Sequence, residues 1–483
     1  MAPSLQIVGQ QDACSHGVAV NIFDADDKNG VEPKEYKGKA AIITLGCAKN
    51  QVDSEVMLGV LLRRGFEIVN DVAEADIAIV NTCSFLESAV QESIDSILEV
   101  ADYKDTGRLR KLIVAGCMVS RYRDELIESM PEVDAFVTLD ELLEVDKRAL
   151  GETEAVFEDA ARPYFLYDDS TPRFVASKRH MAYVKVAEGC NRPCTFCIIP
   201  KIRGSMRSRS IDSVVREVIS LGEQGVREIN LVAQDLTSYG TDHKQGNLTT
   251  LLQKLDDTKA VDWIRLLYAY PIGIDEALLD TIMERQRICE YLDLPLQHSS
   301  EAVLKAMKRP VGRYAPRAIT EFIKNRQPLL HMRTTFIVGF PGETEQDILD
   351  LERFVREGHF SSVGVFTYSQ EADTPAAELV GQLSEEEKLA RKELIMKAQK
   401  ETLASRLDSY LDSTIEVMFE GVHPETDLLF EARARFQAPD VDGTVIINDS
   451  ELPLTDLVPG AIHQVEITEV TDYDLVGCLK AGS

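Results

Sequence analysis

At 483 residues the chain is long enough for two to four domains, and no apolar run approaches the ~20 residues that span a bilayer. Its 81 acidic and 52 basic residues give a formal charge of −29, which repels nucleic-acid phosphates at long range and favours basic partners. Nine cysteines, several at metal-ligand spacing, fit a reducing compartment rather than a disulfide scaffold; with no basic stretch leading into an apolar core at the N-terminus, a cytoplasmic protein is expected.

Residues 1–38 mix Gly, Asp, Lys and Pro without sustained periodicity and are expected to form an irregular extension, in which Cys14 has no assigned role. A repeating pattern occupies residues 39–150. Short apolar, β-branched runs at 40–45, 77–80, 112–115 and 133–139 alternate with amphipathic stretches at 54–64, 84–100 and 121–130. Strands alternating with helices predict a doubly wound parallel sheet. Cys47, Cys83 and Cys117 each follow the carboxyl end of one of these strands, the edge at which open α/β sheets bind ligands. Three thiols far apart in sequence would meet at one rim, able to hold an iron–sulfur cluster. A single such cysteine would be an ordinary small core residue. The reading rests on three equivalent positions.

Residues 151–180, with Pro163, Pro172 and the basic Lys178-Arg179-His180, read as a linker. Over residues 181–410, strand-like runs at 183–187, 228–233, 263–269, 290–295, 333–338 and 362–367 alternate with helical patterns such as 211–224 and 344–356. They fit a full or partial (β/α) barrel with its active site at the carboxyl ends of the strands. At that rim Cys190, Cys194 and Cys197 fall within eight residues, separated by three and then two positions. Thiolates so close cannot all pair as disulfides, but they can grip one face of a [4Fe–4S] cube, which ordinarily takes a fourth cysteine. The next cysteine is Cys289, so one iron would stay open to a small molecule. A zinc site would close with a fourth Cys or His at short spacing, and none is present.

Gln234, Asp235, Tyr270, Gln297, His298 and the turn Gly339-Phe340-Pro341-Gly342-Glu343 fall at the same rim. The turn either admits a ligand close to the backbone or is merely tight, and His298 is read as structural. After a charged helix over 384–410, five β-type runs at 415–419, 428–436, 444–447, 464–470 and 474–476 predict a small OB-like barrel spanning 411–483, with Cys478 structural.

The spacing of Cys190, Cys194 and Cys197, with Phe196 inside it and a strand just before, resembles the radical S-adenosylmethionine enzymes. That likeness implies an open iron that chelates the amino and carboxylate groups of S-adenosylmethionine, and a reduced cluster that splits it to a 5′-deoxyadenosyl radical. With six cysteines in two sets of three and a terminal β-barrel, the chain from about Lys39 resembles the methylthiotransferases. These have an N-terminal cluster domain, a central radical barrel and a C-terminal TRAM domain. Thr44-Leu45-Gly46-Cys47-Ala48-Lys49-Asn50, Asn81-Thr82-Cys83 and Ala115-Gly116-Cys117 stand where that family has its auxiliary cluster motifs. The resemblance implies two [4Fe–4S] clusters, one on Cys47, Cys83 and Cys117 and one on Cys190, Cys194 and Cys197. It further implies sulfur carried on the auxiliary cluster, S-adenosylmethionine as radical source and methyl donor, and an electron donor such as flavodoxin or ferredoxin. A monomer is expected. No catalytic role is assigned beyond the cluster ligands.

Some members of this family modify an adenosine in transfer RNA; others, the RimO type, modify the β-carbon of an aspartate in the twelfth protein of the small ribosomal subunit. Residues 411–483 carry fifteen acidic and three basic side chains, a net charge of −12. A domain that holds RNA neutralises phosphates with Lys and Arg, so this one suits a basic ribosomal protein, free or in the assembled subunit. Leu45 to Asn50, Cys83 to Ala89, Ile199 to Gly204 and Gln437 to Gly443 look like the RimO type, with Asp440 where its pattern has Glu. Lys201, Arg203, Arg207 and Arg209 are read as a solvated face or an anchor for the cofactor carboxylate rather than a phosphate contact. The alternatives are a transfer-RNA methylthiotransferase with both clusters and a non-catalytic iron–sulfur carrier.

Overall fold

The structure is a computed structural model that describes residues 35–152, 165–243, 245–453 and 457–481. Cys14, most of the expected N-terminal extension and the first half of the expected linker lie outside the described residues.

Five strands, β1 (Gly38–Thr44), β2 (Phe66–Ile68), β3 (Ile77–Thr82), β4 (Lys111–Gly116) and β5 (Ala135–Val137), form a parallel sheet in the order β2-β1-β3-β4-β5. Ile42 lies opposite Ile79, and Ile79 opposite Ile113. Strand alternation sends Ala41, Ile43 and Leu45 to one face and Ala40 and Ile42 to the other. Helices Glu87–Ala101 and Cys117–Ser129 cover the first face through Ile97, Val100, Met118 and Val119. Helix Ala48–Arg64 covers the second through Met57, Leu58 and Leu61. The sheet is therefore doubly wound, and its order reverses between β1 and β3, where such folds open a ligand crevice. The three residues of β2 were not anticipated, being too few to show alternation. Helix Ala48–Arg64 starts six residues earlier than its apolar pattern, because its first turns bury polar side chains: Lys49, Asn50, Asp53, Ser54 and Glu55.

Packing divides the chain into two compact units. The first runs to Arg192 and takes up Cys197–Gly225 and Val232–Gln234; the second takes Pro193–Phe196, Val226–Leu231 and Asp235 onward. Beside the N-terminal sheet, the first holds β6 (Met181–Lys185), helix Ile211–Glu223 and a short antiparallel pair, β7 (Ala187–Glu188) with β8 (Arg207–Ser208). Residues 165–180 form no regular element yet are packed. Arg173 is wholly buried, donating to Glu55 at 2.6 Å and to Glu217 at 2.5 Å.

In the second unit β9 (Glu228–Val232), β10 (Trp263–Leu266), β11 (Tyr291–Asp293), β12 (His331–Val338) and β13 (Ser362–Thr367) run parallel in sequence order. The join from β10 to β11 is a single bridge, Ile264 opposite Ile288. Helices alternate with these strands, the wall of a partial (β/α) barrel. Asn247, Asp275, Ser300, Thr344 and Ser384 each cap a helix by accepting a hydrogen bond from the backbone N–H three residues on. The chain ends in a closed barrel of β14 (Thr414–Val422), β15 (Phe430–Ala434), β16 (Val445–Ser450), β17 (Ile462–Val470) and β18 (Leu475–Leu479), filled by Val417, Val445, Val465, Ile467 and Leu475. Arg433 on β15 donates to Glu228 on β9 at 2.5 Å and to Glu420 at 2.8 Å. Among the described residues, no helix is long and apolar enough to cross a membrane.

Candidate iron–sulfur sites

The reversal point of the N-terminal sheet brings Cys47, Cys83 and Cys117 together. Cys47 caps helix Ala48–Arg64, Cys83 directly follows β3, and Cys117 opens helix Cys117–Ser129. Two glycines make the convergence possible. Gly46 has φ +94°, and a Cβ there would lie 2.8 Å from the Cβ and 3.0 Å from the Sγ of Cys83. Gly116 has φ +98°, and its Cβ would fall 2.2 Å from Asn81 Oδ1. Any side chain at either position would push the cysteine loops apart. Asn50 ties all three loops: its amide donates to Leu45 and Thr82 carbonyls, both at 2.9 Å, and its Oδ1 accepts from the Cys117 thiol at 3.6 Å.

Arg203 completes this site. It ends the short helix Ile199–Arg203, six residues beyond Cys197, and is 2% exposed. One terminal nitrogen, Nη2, donates to Cys117 Sγ at 3.2 Å, Asn50 Oδ1 at 2.6 Å and Asp53 Oδ2 at 3.0 Å. The other, Nη1, meets both Glu188 oxygens at 3.1 Å. Lys185 donates to Asp53 at 2.5 Å and Glu188 at 2.6 Å, so two buried cations face two buried carboxylates. Lys185 and Arg203 hold the Glu188 carboxyl well below the usual range against the cost of its burial.

The thiols respond to the same surroundings. Burial, reinforced by neighbouring Cys117 and Cys47, pushes Cys83 up to about 12. Burial also raises Cys117, which Arg203 opposes. For Cys47 burial acts upward, but Lys49 and Arg203 outweigh it and bring the thiol below its ordinary value. All eight described cysteines are free of disulfides, and no three described His, Cys, Asp or Glu side chains close on a single metal ion. A trio of soft, mutually interacting thiols on three adjacent loops fits an iron–sulfur cube, which takes one thiolate per corner iron and needs wider spacing than one ion does.

Of the second set, Cys190 and Cys197 lie in the first unit. Cys190 is buried, its N–H bonded to the Gly204 carbonyl at 3.0 Å, and its Sγ accepts from the Arg192 N–H at 3.4 Å. Ile198 and Ile202, just past Cys197, pack with Leu139 against Cys117 itself. Cys194 belongs to the second unit with Pro193–Phe196. There Thr195 N–H bonds the Met307 carbonyl at 3.0 Å and Phe196 packs on Val303, Met307 and Phe340. Arg309 donates to Cys194 Sγ at 3.8 Å and lies 4.2 Å over the Tyr270 ring.

The other rim residues have clear structural partners. Gln234 donates to Glu188 at 2.6 Å, and Asp235 caps the short turn Leu236–Ser238. His298 is wholly buried, 3.4 Å from Glu343, whose carboxylate also accepts from Gly339 and Phe340 N–H groups and from Arg391. Glu343 thus braces the Gly-Phe-Pro-Gly-Glu turn from within. The solvated face expected of the basic stretch fails at Arg203 and at Arg209, which is buried against Glu217 and over the Tyr167 ring. Asn50, which stood in the Thr44–Asn50 motif without a role, and Asp53, Glu188 and Arg309 were assigned no part in the site by the sequence. The available signal for the first two was a helix adjoining a cysteine whose polar residues broke its apolar period.

Family models match in the same order: uncharacterized protein family UPF0004 over residues 39–138, the radical SAM superfamily over 184–355, and the TRAM domain over 413–479. Fold and matches together define a three-part radical S-adenosylmethionine enzyme. The ribosomal protein uS12 methylthiotransferase RimO of Syntrophotalea carbinolica is 44% identical over 448 residues, spanning 91% of this chain and 96% of its own. That of Geobacter sulfurreducens is 45% identical over 448 residues, spanning 91% and 98%. Among solved structures, the radical S-adenosylmethionine methyltransferase TsrM of Kitasatospora setae is similar with a TM-score of 0.49 at 16% identity, covering 70% of this chain and 73% of that one. The chain belongs to the RimO family of ribosomal protein uS12 methylthiotransferases.

Proposed function

We propose that this chain methylthiolates the β-carbon of an aspartate in ribosomal protein uS12, using two [4Fe–4S] clusters and S-adenosylmethionine. In this reading Cys190, Cys194 and Cys197 hold the radical-generating cluster, and Cys47, Cys83 and Cys117 the auxiliary one. When bound, these groups supply a 5′-deoxyadenosyl radical and the sulfur to be transferred. The protein's own task is to hold the six thiols, to keep water from them and to admit the substrate segment. Leu139, Ile198 and Ile202 form an apolar wall on Cys117 that serves the second need.

The acidity of the C-terminal barrel supports a protein substrate over RNA. Only three basic side chains lie in residues 411–483. Arg433 is buried on Glu228 and Glu420, Arg435 is turned to Glu290, and Lys480 is paired with Glu451 and Glu466. None is left to neutralise phosphate, which RNA binding requires. The electron donor is read as a flavodoxin or ferredoxin, and the working state as a monomer in a reducing cytoplasm. Intact-mass measurement of uS12 from cells with and without this chain tests the substrate. Loss of a methylthio increment in the deletion strain is expected; an unchanged uS12 mass, with a modified transfer RNA lost instead, overturns the reading.

A further inference from the structure

Arg203 does more than close an ion-pair network. A guanidinium cannot give up its proton within proteins, so it faces sulfur as a charged donor at every working pH. Here the bond to Cys117 Sγ, 3.2 Å long, is made by a side chain 2% exposed, where the local dielectric strengthens it. The bond is also held in place from behind. Asp53 and Glu188 accept from the same guanidinium, Asn50 accepts a third time, and Lys185 balances the second buried charge. A residue whose purpose was neutralisation alone would need only the carboxylates.

We propose that Arg203 is a positioning residue for the auxiliary cluster: its guanidinium donates to the Cys117 ligand, fixes that sulfur, and raises the reduction potential of the cluster it holds. Hydrogen bonds to ligand sulfurs and local charge are the levers by which a protein sets such potentials. Because Arg203 sits six residues beyond Cys197 on the same segment, the poise of the sulfur-carrying site is tied to the loop that carries two of the radical-site thiols. The inference rests on the reading that Cys47, Cys83 and Cys117 hold a cluster.

The test uses the full chain with Cys190, Cys194 and Cys197 all replaced by Ala, reconstituted anaerobically, so that iron and the paramagnetic signal report the auxiliary site alone. This parent is expected to hold about four irons per chain. If it holds none, the two-cluster reading fails and the inference falls with it. Into the parent go Asp53→Asn, Arg203→Lys, and Arg203→Gln combined with Asp53→Asn. The paired change removes one buried cation and one buried carboxylate, so net charge is unchanged and the surviving shift reports the lost sulfur hydrogen bond.

In a dithionite titration followed by electron paramagnetic resonance, Asp53→Asn alone should move the midpoint upward, since a carboxylate is lost. The pair should move it below the parent, and Arg203→Lys should lie between. Midpoints of the pair and of Arg203→Lys that coincide with the parent overturn the proposal. If the pair fails to load iron, Arg203→Lys decides by the same criterion. Should neither load iron, Arg203 is a structural strut and the proposal is rejected.

Discussion

Arg433, in the C-terminal barrel, and Arg203, behind the cysteine motif, are each almost wholly buried among acidic side chains, and they differ in one contact. Around Arg433 the partners are carboxylates and carbonyls: Glu228 accepts from Arg433 at 2.5 Å and from Arg265 at 2.9 Å, Glu420 accepts from Arg433 at 2.8 Å, and a second Arg265 nitrogen donates to the Arg435 carbonyl at 2.5 Å. Every partner is oxygen. Around Arg203 one donor ends on sulfur instead, at Cys117. A buried ion pair is weak evidence for stability, because desolvation offsets much of the attraction, although removing one partner alone is costly. The Arg433 network explains why a barrel strand and a terminal domain stay registered. The Arg203 network places permanent positive charge where chemistry on sulfur is proposed.

The largest effects are expected at the thiols themselves. Cys194→Ala should abolish reductive cleavage of S-adenosylmethionine, measured as 5′-deoxyadenosine released. Cys117→Ala should leave that cleavage running and abolish sulfur insertion into a uS12 peptide. If Cys117→Ala still inserts sulfur, the division of labour between the two sets is wrong. The next largest effect belongs to the Arg433 network. Glu228→Gln strands Arg433 and Arg265 with one carboxylate fewer, and should cost about 3–5 kcal/mol of stability in denaturant melts. Cluster absorbance in the folded variant should stay intact. A fall in cluster loading without loss of stability would show that the two networks are not separate in role.

How much of this could be read from the chain alone follows the same division. The strands at 40–45, 77–80 and 112–115 were plain because both faces of the sheet are buried and the runs are continuous in Ile, Val, Leu and Ala. Helix starts carry a readable signal where Asn247, Asp275, Ser300, Thr344 and Ser384 stand at the cap, and none where Cys47, Leu86 and Gly116 do. The meeting of Cys47, Cys83 and Cys117 at one rim was foreseeable because each follows the end of a strand of one sheet. What stayed hidden was the polar scaffold behind them. Asn50 and Asp53 sit on the buried face of helix Ala48–Arg64, where charge and amide groups read as solvent-facing until their partners are seen. Arg203 looked like one cation among four; only folding brings its guanidinium to Cys117. A broken apolar period marks that polar groups are present in the helix, but it does not name their long-range partners.

A smaller effect is expected at Gly116. Its φ of +98° with ψ −152° lies in a region essentially reserved for glycine, and a Cβ would press 2.2 Å from Asn81 Oδ1 and 2.8 Å from the Thr82 carbonyl. Gly116→Ala should therefore cost about 3 kcal/mol. The loss should be accompanied by weaker iron loading at the auxiliary site, since the residues displaced are those leading into Cys83 and Cys117. The same substitution at Gly225, also at positive φ but with no atom within 4 Å of its Cβ, should cost stability through backbone strain alone and leave iron content at its normal value. Equal iron loss at both positions would remove the argument that close approach, rather than strain, builds the site.

The gentlest test turns on His331, in the second unit. It stacks on Phe436 with ring centroids 4.7 Å apart, and lines a cavity of about 430 Å³ with Arg406 and Tyr410. Burial, aided by the nearby cations Arg406 and Lys324, pushes its pKa down to about 3. In the unfolded chain the imidazole titrates near 6.5, so between pH 6.5 and 3 the unfolded state binds the extra proton and stability falls as the solution is acidified. From pH 6.5 to pH 5 the loss attributable to this one group should be about 2 kcal/mol. Glu228, held low by Arg433 and Arg265 against the cost of burial, contributes stability present above the unfolded carboxylate range that is lost only as the pH falls further. Acid unfolding of the intact protein should thus begin below pH 6.5 and steepen near pH 4. His331→Gln should make the first phase shallower and leave the second, whereas Glu228→Gln should do the reverse. A His331→Gln protein that loses stability between pH 6.5 and 5 as steeply as the unaltered chain would show that the imidazole is not held neutral there.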